Sequence, residues 1–386
     1  MKKLIPLVII TSLILTTNAN SVEDNIENDK ILKIGVLLPL SGNLETVGQA
    51  FLKAVQLGVH DLKNKEIKIY PKDSKGNALD AYEAGKEFEK LGIKIVIGPL
   101  LYKSTERLGE INNVSFVSLT NKTGDLPKNT IAFGININSQ IEVLKKYFKN
   151  KKISKTLLLS PKNNYEKQIK LINNSGLNFY KKFSYDENPK KITGEIEKIT
   201  NYKARKRDLE RRIKILKKSE LEKDKNELIK LEQMHTLGGV NFDSVFVIDF
   251  GEQLKSILTS FVFADVTSKN VNFFTLNQWF DETLFSEEAL QNLYFPSINL
   301  ENLSKFEKKY FKAYNEKPNK VSLLAYDALG LIYYCWINNN KVFRVDSLYN
   351  KDGFKGLQGE FIIKNNLSEQ KLNIYKISGK RFLEVN

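Results

Sequence analysis

Residues 31–42 read ILKIGVLLPLSG, an apolar run interrupted by Lys33 and closed by a proline and a Ser-Gly turn. A run that is apolar on both faces and bounded by turn residues marks a strand buried on both sides, as in a parallel sheet. Residues 44–62 follow with Leu52, Val55 and Val59 at helical spacing, so the opening unit is strand, turn, helix. The unit repeats outward: strand 67–70, helix 78–91, strand 93–97, then Gly98-Pro99, a helix at 104–111 and a strand at 114–119. This alternation predicts an α/β fold, a doubly wound, Rossmann-like lobe with helices on both faces of its sheet.

The rhythm restarts after 135–139. Helix 139–148, strand 156–159, helix 165–173 and strands 178–185, 244–248 and 271–276 predict a second sheet. Two such lobes in series imply a cleft between them. The expected division is a first lobe of 31–136 and 293–341, and a second of 137–292 and 342–386. In open α/β sheets ligands sit beyond the carboxyl ends of the strands, so the loops that follow the strands carry the candidate site.

The first thirty residues bear on the compartment. Lys2 and Lys3 precede an apolar core at 4–15, and Thr17-Asn18-Ala19 supplies small residues where a signal peptidase cuts. The core is ~12 residues, short of the ~20 that a spanning helix needs. We expect a signal peptide at 1–19, a linker at 20–30 and a soluble periplasmic product that is not membrane-inserted after cleavage. An uncleaved anchor and a buried first helix are the alternatives. Cys335, the single cysteine, lies in the apolar stretch 331–337, which suits a core residue and allows no internal disulfide. No cysteine follows the signal core, so no acylated form is expected.

With 386 residues and 41% hydrophobic content, the chain can bury one or two substantial cores. The formal charge of +15 is carried almost wholly by dispersed lysine, with seven arginines among 60 basic residues. That distribution does not suggest a nucleic-acid surface. The two histidines, His60 and His235, are far apart in sequence and have no cysteine cluster beside them, and neither a GxSxG turn nor a phosphate-binding loop is present. A non-enzymatic protein without metal or cofactor is expected.

Residues 199–237 break the rhythm. They carry 12 basic and seven acidic residues and no strand signal, yet Leu209, Ile213 and Leu216, then Leu221, Leu228 and Leu231, keep helical stripes. Ser219 and Glu222 fit a capping box, and Gly238-Gly239 ends the segment. The reading is a charged helical hairpin inserted in the second lobe; one long solvated helix is the alternative.

KIGVLLPLSG, Lys72-Asp73 in IYPKDSKG, IVIGPL, VSFVSLTN, FGININSQ, LLLSPKNNYEKQ, FDSVFVIDFGEQL and SLLAYDALGL occur in one order. In that order and spacing they resemble the type I periplasmic binding proteins of the leucine/isoleucine/valine-binding family, over nearly all of 31–386. The charged insertion and the late GFKGLQGEF element at 353–361 are similar to the alphaproteobacterial penicillin-binding protein activators. The resemblance implies two lobes closing on a small polar ligand. It also implies either a regulator touching a peptidoglycan synthase or a receptor for an ABC permease that imports amino acids or another solute.

The resemblance also implies a set of ligand positions. Ser41 and Gly42 follow the first strand. Ser104 stands where relatives hold a ligand carboxylate with a hydroxyl and helix N-terminal N–H groups, and Thr120 stands near the ligand amine. Tyr165 resembles the second-lobe aromatic, with Glu166 in place of the usual glycine. Asn277 matches the position of the acid that binds an ammonium, and its missing carboxylate disfavours an ordinary α-amino acid. Asp249, one strand earlier, is the substitute.

Overall fold

A computed structural model describes residues 31–276 and 285–385. The expected signal peptide and linker, and Asn277, lie outside the described residues.

The first strand, β1 (Leu32–Leu38), is buried at every position but Lys33. It leads through a 3-10 turn into helix α1 (Glu45–Leu62), whose buried face includes Phe51, Ala54, Val55 and Leu57. Gly48 lets that helix pass close behind the preceding turn, since a Cβ there would lie 1.8 Å from the Pro39 carbonyl oxygen. Then come β2 (Ile67–Asp73), α2 (Ala78–Lys90), β3 (Ile95–Ile97), β4 (Ser115–Ser118) and β5 (Thr130–Ala132). The helix expected at 104–111 is instead two 3-10 turns, Tyr102–Thr105 and Leu108–Glu110.

Helix α3 (Ile137–Lys151) opens the second half, where the Asn136 side chain accepts from the Ser139 N–H at 3.0 Å. After it come β6 (Thr156–Pro161), α4 (Glu166–Asn173), β7 (Lys181–Tyr185) and α5 (Pro189–Ile199). The chain continues through α6 (Tyr202–Leu216), α7 (Glu222–Leu231), β8 (Ser244–Val247), α8 (Gly251–Phe263) and β9 (Asn272–Thr275). Next are β10 (Leu293–Ser297), α9 (Leu300–Tyr314) and α10 (Leu323–Asn338). The last strands are β11 (Phe354–Gly356), β12 (Gly359–Lys364), β13 (Leu367–Gln370), β14 (Asn373–Ser378) and β15 (Arg381–Val385).

Two sheets result, in the orders β11-β12-β13-β5-β4-β3-β1-β2 and β15-β14-β10-β9-β8-β6-β7. Both are parallel through their centres with antiparallel additions at one edge. This corrects the expected division at two places. Residues 293–297 belong to the second sheet, because β10 pairs with β9 and β14. Residues 354–370 belong to the first sheet, because β13 runs beside β5.

A buried carboxylate fastens that late meander to the first lobe. Asp327, on α10 and 6% exposed, accepts the Leu357 N–H at 2.9 Å and the Gln358 N–H at 2.8 Å. A Cβ at Gly356 would fall 2.5 Å from Asp327 Oδ2, so the glycine of GFKGLQGEF is needed for close approach. Cys335 is buried in the same core, beside Trp336.

The inserted segment is a hairpin of α6 and α7, with a small core of Leu209, Leu216 and Leu231. Arg212–Glu227 and Lys217–Glu232 ion pairs, at 2.8 and 3.0 Å, brace the two helices. The expected capping box is not formed. Ser219 Oγ accepts the Leu221 N–H at 3.3 Å and bonds to Asp224, and Glu222 opens α7. Arg205 clasps the base, donating to the carbonyls of Gly238, Ala264 and Asp265 and to Thr236 Oγ1, at 2.6 to 3.2 Å.

Candidate functional site

Among the described residues, three chain crossings join the lobes: 133–136 after β5, 298–299 after β10, and 371–372 after β13. β5 runs parallel to β4, β10 to β9 and β13 to β5, so each crossing leaves from the carboxyl end of the parallel part of its sheet. The carboxyl poles of the two sheets therefore face one another, and the loops at those poles form the candidate site.

On the first pole, Asp73 at the end of β2 organises the loop after β1. It accepts the Leu40 N–H at 2.7 Å, the Ser41 hydroxyl at 2.5 Å and the Lys75 N–H at 2.8 Å. Burial works to raise the Asp73 carboxyl, but these donors outweigh it and hold the group below its ordinary value. Ser41 thus has its proton committed within the protein. Gly42 is exposed at φ +75°, a conformation that favours glycine, and it turns the chain into the 3-10 segment.

Ser104 lies in the first 3-10 turn, fully buried, and its hydroxyl has no hydrogen-bond partner. Its N–H donates to the Leu101 carbonyl at 3.1 Å. The expected cradle of free helix N-terminal N–H groups is therefore absent at this position, because no helix starts here. An unpartnered buried hydroxyl remains. Thr120 is 5% exposed, just beyond β4, and its side chain accepts the Lys122 N–H at 3.3 Å while its carbonyl accepts the Gly134 N–H at 3.0 Å. It ties the pole to the first crossing.

On the second pole, Tyr165 precedes α4 at φ +60°, with its ring edge-on to Phe250 at 5.2 Å. Asp249, 6% exposed just beyond β8, accepts the Phe250 N–H at 2.7 Å and the Tyr185 hydroxyl. Burial pushes the Asp249 carboxyl above its ordinary value and the Glu187 charge adds to this, against the two donors. Burial pushes Tyr165 up as well, with the charges of Asp249 and Glu187 behind it. Glu187 itself accepts the Asn163 N–H at 3.0 Å and the Asn164 side chain at 2.7 Å. The fold thus brings Tyr165 and Asp249 into one neighbourhood, with Tyr185 bonded to Asp249 and the Glu187 charge felt by both. This pole is electronegative and suits a cationic or hydrogen-bond-donating group.

Asp73, Tyr185 and Glu187 are absent from the sequence-based site, although each is a polar residue at or just beyond the carboxyl end of a strand. Applying that rule to every strand end finds them. Cavities of about 330 to 1040 Å³ lie elsewhere on the described surface, and none is lined by Ser41, Ser104, Thr120, Tyr165 or Asp249. His60 and His235 are both exposed, one on α1 and one at the base of the hairpin. The poles carry the means of binding, and no proton acceptor is bonded to the Ser104 hydroxyl to make it a nucleophile.

No curated protein matches the chain. Solved structures do. The C-domain of LpoA (YraM) from Haemophilus influenzae, a regulator of PBP1A, aligns at TM-score 0.63 and 16% identity, covering 92% of this chain and all of that one. Full-length LpoA from the same organism aligns at 0.64 and 14% identity over 92% of this chain, which spans 59% of it. LivJ from Streptococcus pneumoniae, a branched-chain amino acid transporter substrate-binding protein in complex with isoleucine, aligns at 0.55 and 16% identity, covering 92% of this chain and all of that one. At such identities the likeness is one of fold, and these relatives are binding or regulatory proteins. Among the described residues, no helix is long and apolar enough to cross a membrane. A family model for periplasmic binding proteins matches residues 31–333, and the chain belongs to that family.

Proposed function

We propose that the chain is an exported, non-enzymatic periplasmic protein that regulates peptidoglycan synthesis in the manner of a penicillin-binding protein activator. Its partner would be a peptidoglycan synthase. The observation that carries this reading is the α6–α7 hairpin, which has a core of its own and a clasped base, set apart from the lobe cores. Ordering such a segment costs conformational entropy, and closing two lobes on a ligand does not require it. The fold likeness to a PBP1A regulator adds to the case. The test is glycan polymerisation by the purified synthase of the same organism, with and without the mature protein. Stimulation is the expected result, and an unchanged rate counts against the reading.

A receptor role in an ABC importer is the second reading. It is favoured by the unpartnered Ser104 hydroxyl on one pole and the Asp249–Tyr165 cluster on the other, an arrangement suited to a small polar ligand. In either case we expect cleavage after Ala19. Mass spectrometry of the mature protein should find an N-terminus at Asn20 without a lipid adduct; an intact Met1 or an acyl chain would exclude that maturation.

A further inference from the structure

We propose that the outer face of the α6–α7 hairpin is a docking surface for an acidic face of the synthase, an inference that rests on the regulator reading above. The hairpin carries 12 basic and seven acidic residues, a net charge of +5. Some of that charge is used internally. Arg212 and Lys217 brace the two helices, Arg205 holds the base, Arg211 pairs with Asp208 and Lys203 with Glu197. Lys206, Arg207, Lys214 and Lys218 on α6 and its turn, with Lys225 and Lys230 on α7, are exposed and make no salt bridge among the described residues. Glu210, Glu220 and Glu222 on the same hairpin are exposed and also make no salt bridge among the described residues, but the unpaired cations outnumber them, so the surface stays net positive.

The hairpin is also built to hold that charge in place. Leu209, Leu216 and Leu231 pack between the helices, and the Arg205 clasp ties the base to the loop after α8. A preorganised surface loses little entropy when a partner arrives, and unpaired cations steer an anionic partner toward it. Ile215, Leu221 and Ile229, exposed by 55 to 59%, supply aliphatic area among the cations that such a partner would cover.

An anionic lipid surface would also attract lysine, but the hairpin fits it less well. Residues 203–234 contain no aromatic side chain to seat at a headgroup boundary.

The test measures binding of the mature protein to the synthase ectodomain of the same organism by biolayer interferometry. Two variants of equal charge change are compared. One is K206E/R207E/K214E/K218E, which turns the hairpin from +5 to −3. The other is K65E/K68E/K90E/K94E, at exposed lysines of the first lobe. We expect the hairpin variant to bind roughly tenfold or more weakly, the lobe variant to stay within about twofold, and wild-type binding to weaken as NaCl rises from about 50 to about 300 mM. Circular dichroism checks both folds. Should the hairpin variant be misfolded, the salt series decides, and salt-insensitive binding overturns the proposal. A folded hairpin variant that binds like wild type overturns the docking surface and leaves the regulator reading standing. Wild-type protein that binds no synthase overturns both. Co-sedimentation with phosphatidylglycerol vesicles that the hairpin variant loses, beside synthase binding that it keeps, assigns the surface to lipid and overturns the proposal.

Discussion

Gln370 and Ser139 bond to each other twice across the join between the lobes. The Gln370 N–H donates to Ser139 Oγ, and the Ser139 hydroxyl donates to Gln370 Oε1, both at 3.0 Å. Gln370 ends the last strand of the first sheet and Ser139 lies in the first turn of α3, so the pair stitches two of the three crossings together. The Gln370 amide also donates to the Phe133 and Gly134 carbonyls at 3.3 and 3.1 Å, and the Asn136 amide donates to the Ser368 carbonyl at 2.5 Å. This buried network makes the 133–136 and 371–372 crossings one polar unit. The 298–299 crossing stands apart from it.

Replacing Gln370 by Leu keeps its backbone N–H bond to Ser139 Oγ but removes the acceptor of the Ser139 hydroxyl and the donor to two carbonyls, and should destabilise the protein by about 1–3 kcal/mol. Denaturant unfolding measures it. A change within about 0.5 kcal/mol would show that the network is dispensable and that the crossings are held by packing.

Asp327 predicts a pH dependence. Burial pushes its carboxyl well above the ordinary aspartate range, up to about 6, against the pull of the Gln358 and Leu357 N–H donors. A carboxyl raised in the folded state binds its proton more tightly there than when unfolded, so stability falls as pH rises from about 4 to about 6 and levels off above. The size is on the order of 3 kcal/mol for two pKa steps. The stability of wild type relative to Asp327→Asn, followed by urea unfolding from pH 4 to 7, should decline across that window. A flat difference would mean that the group titrates normally.

The hairpin should be removable. The Leu237 N–H donates to the Arg205 carbonyl at 3.1 Å, so the chain enters and leaves the insertion at one point. Deleting 206–234 and joining the ends with a short Gly/Ser link keeps the Arg205 clasp, and the variant should retain the wild-type far-ultraviolet spectrum apart from the lost helix. Arg205→Ala in the full chain should instead cost on the order of 3 kcal/mol, since it strips the buried Ala264 carbonyl and Thr236 hydroxyl of a charged donor. An unfolded deletion variant would show that the hairpin is part of the lobe.

Much of this fold is legible in short stretches of sequence. The 31–40 run is β1, and the 1.8 Å approach that demands Gly48 lies within the strand-turn-helix unit that this run opens. What local reading cannot reach is pairing between distant segments. Residues 293–297 and 354–370 follow the pattern of strands equally well in either lobe, and only the β10–β9 and β13–β5 ladders decide between them. At 104–111, helical spacing is present but Gly109 and the short span favour separate 3-10 turns. For the site, position at a strand end was informative, whereas the Asp249–Tyr185 bond joins residues 64 apart and becomes visible only in the folded chain.

We propose that the opposed poles form one ligand site, with Ser104 from the first lobe and Asp249 from the second. A thermal-shift screen of the mature protein against L- and D-amino acids and muropeptide fragments tests it most directly. A ligand at 100 times its dissociation constant should stabilise the wild type by ~2.7 kcal/mol. Ser104→Ala and Asp249→Asn, changes in different lobes, should each weaken that ligand by roughly tenfold or more, the scale of losing a buried hydrogen bond. No stabilising compound, or one whose effect survives both substitutions unchanged, would contradict the claim.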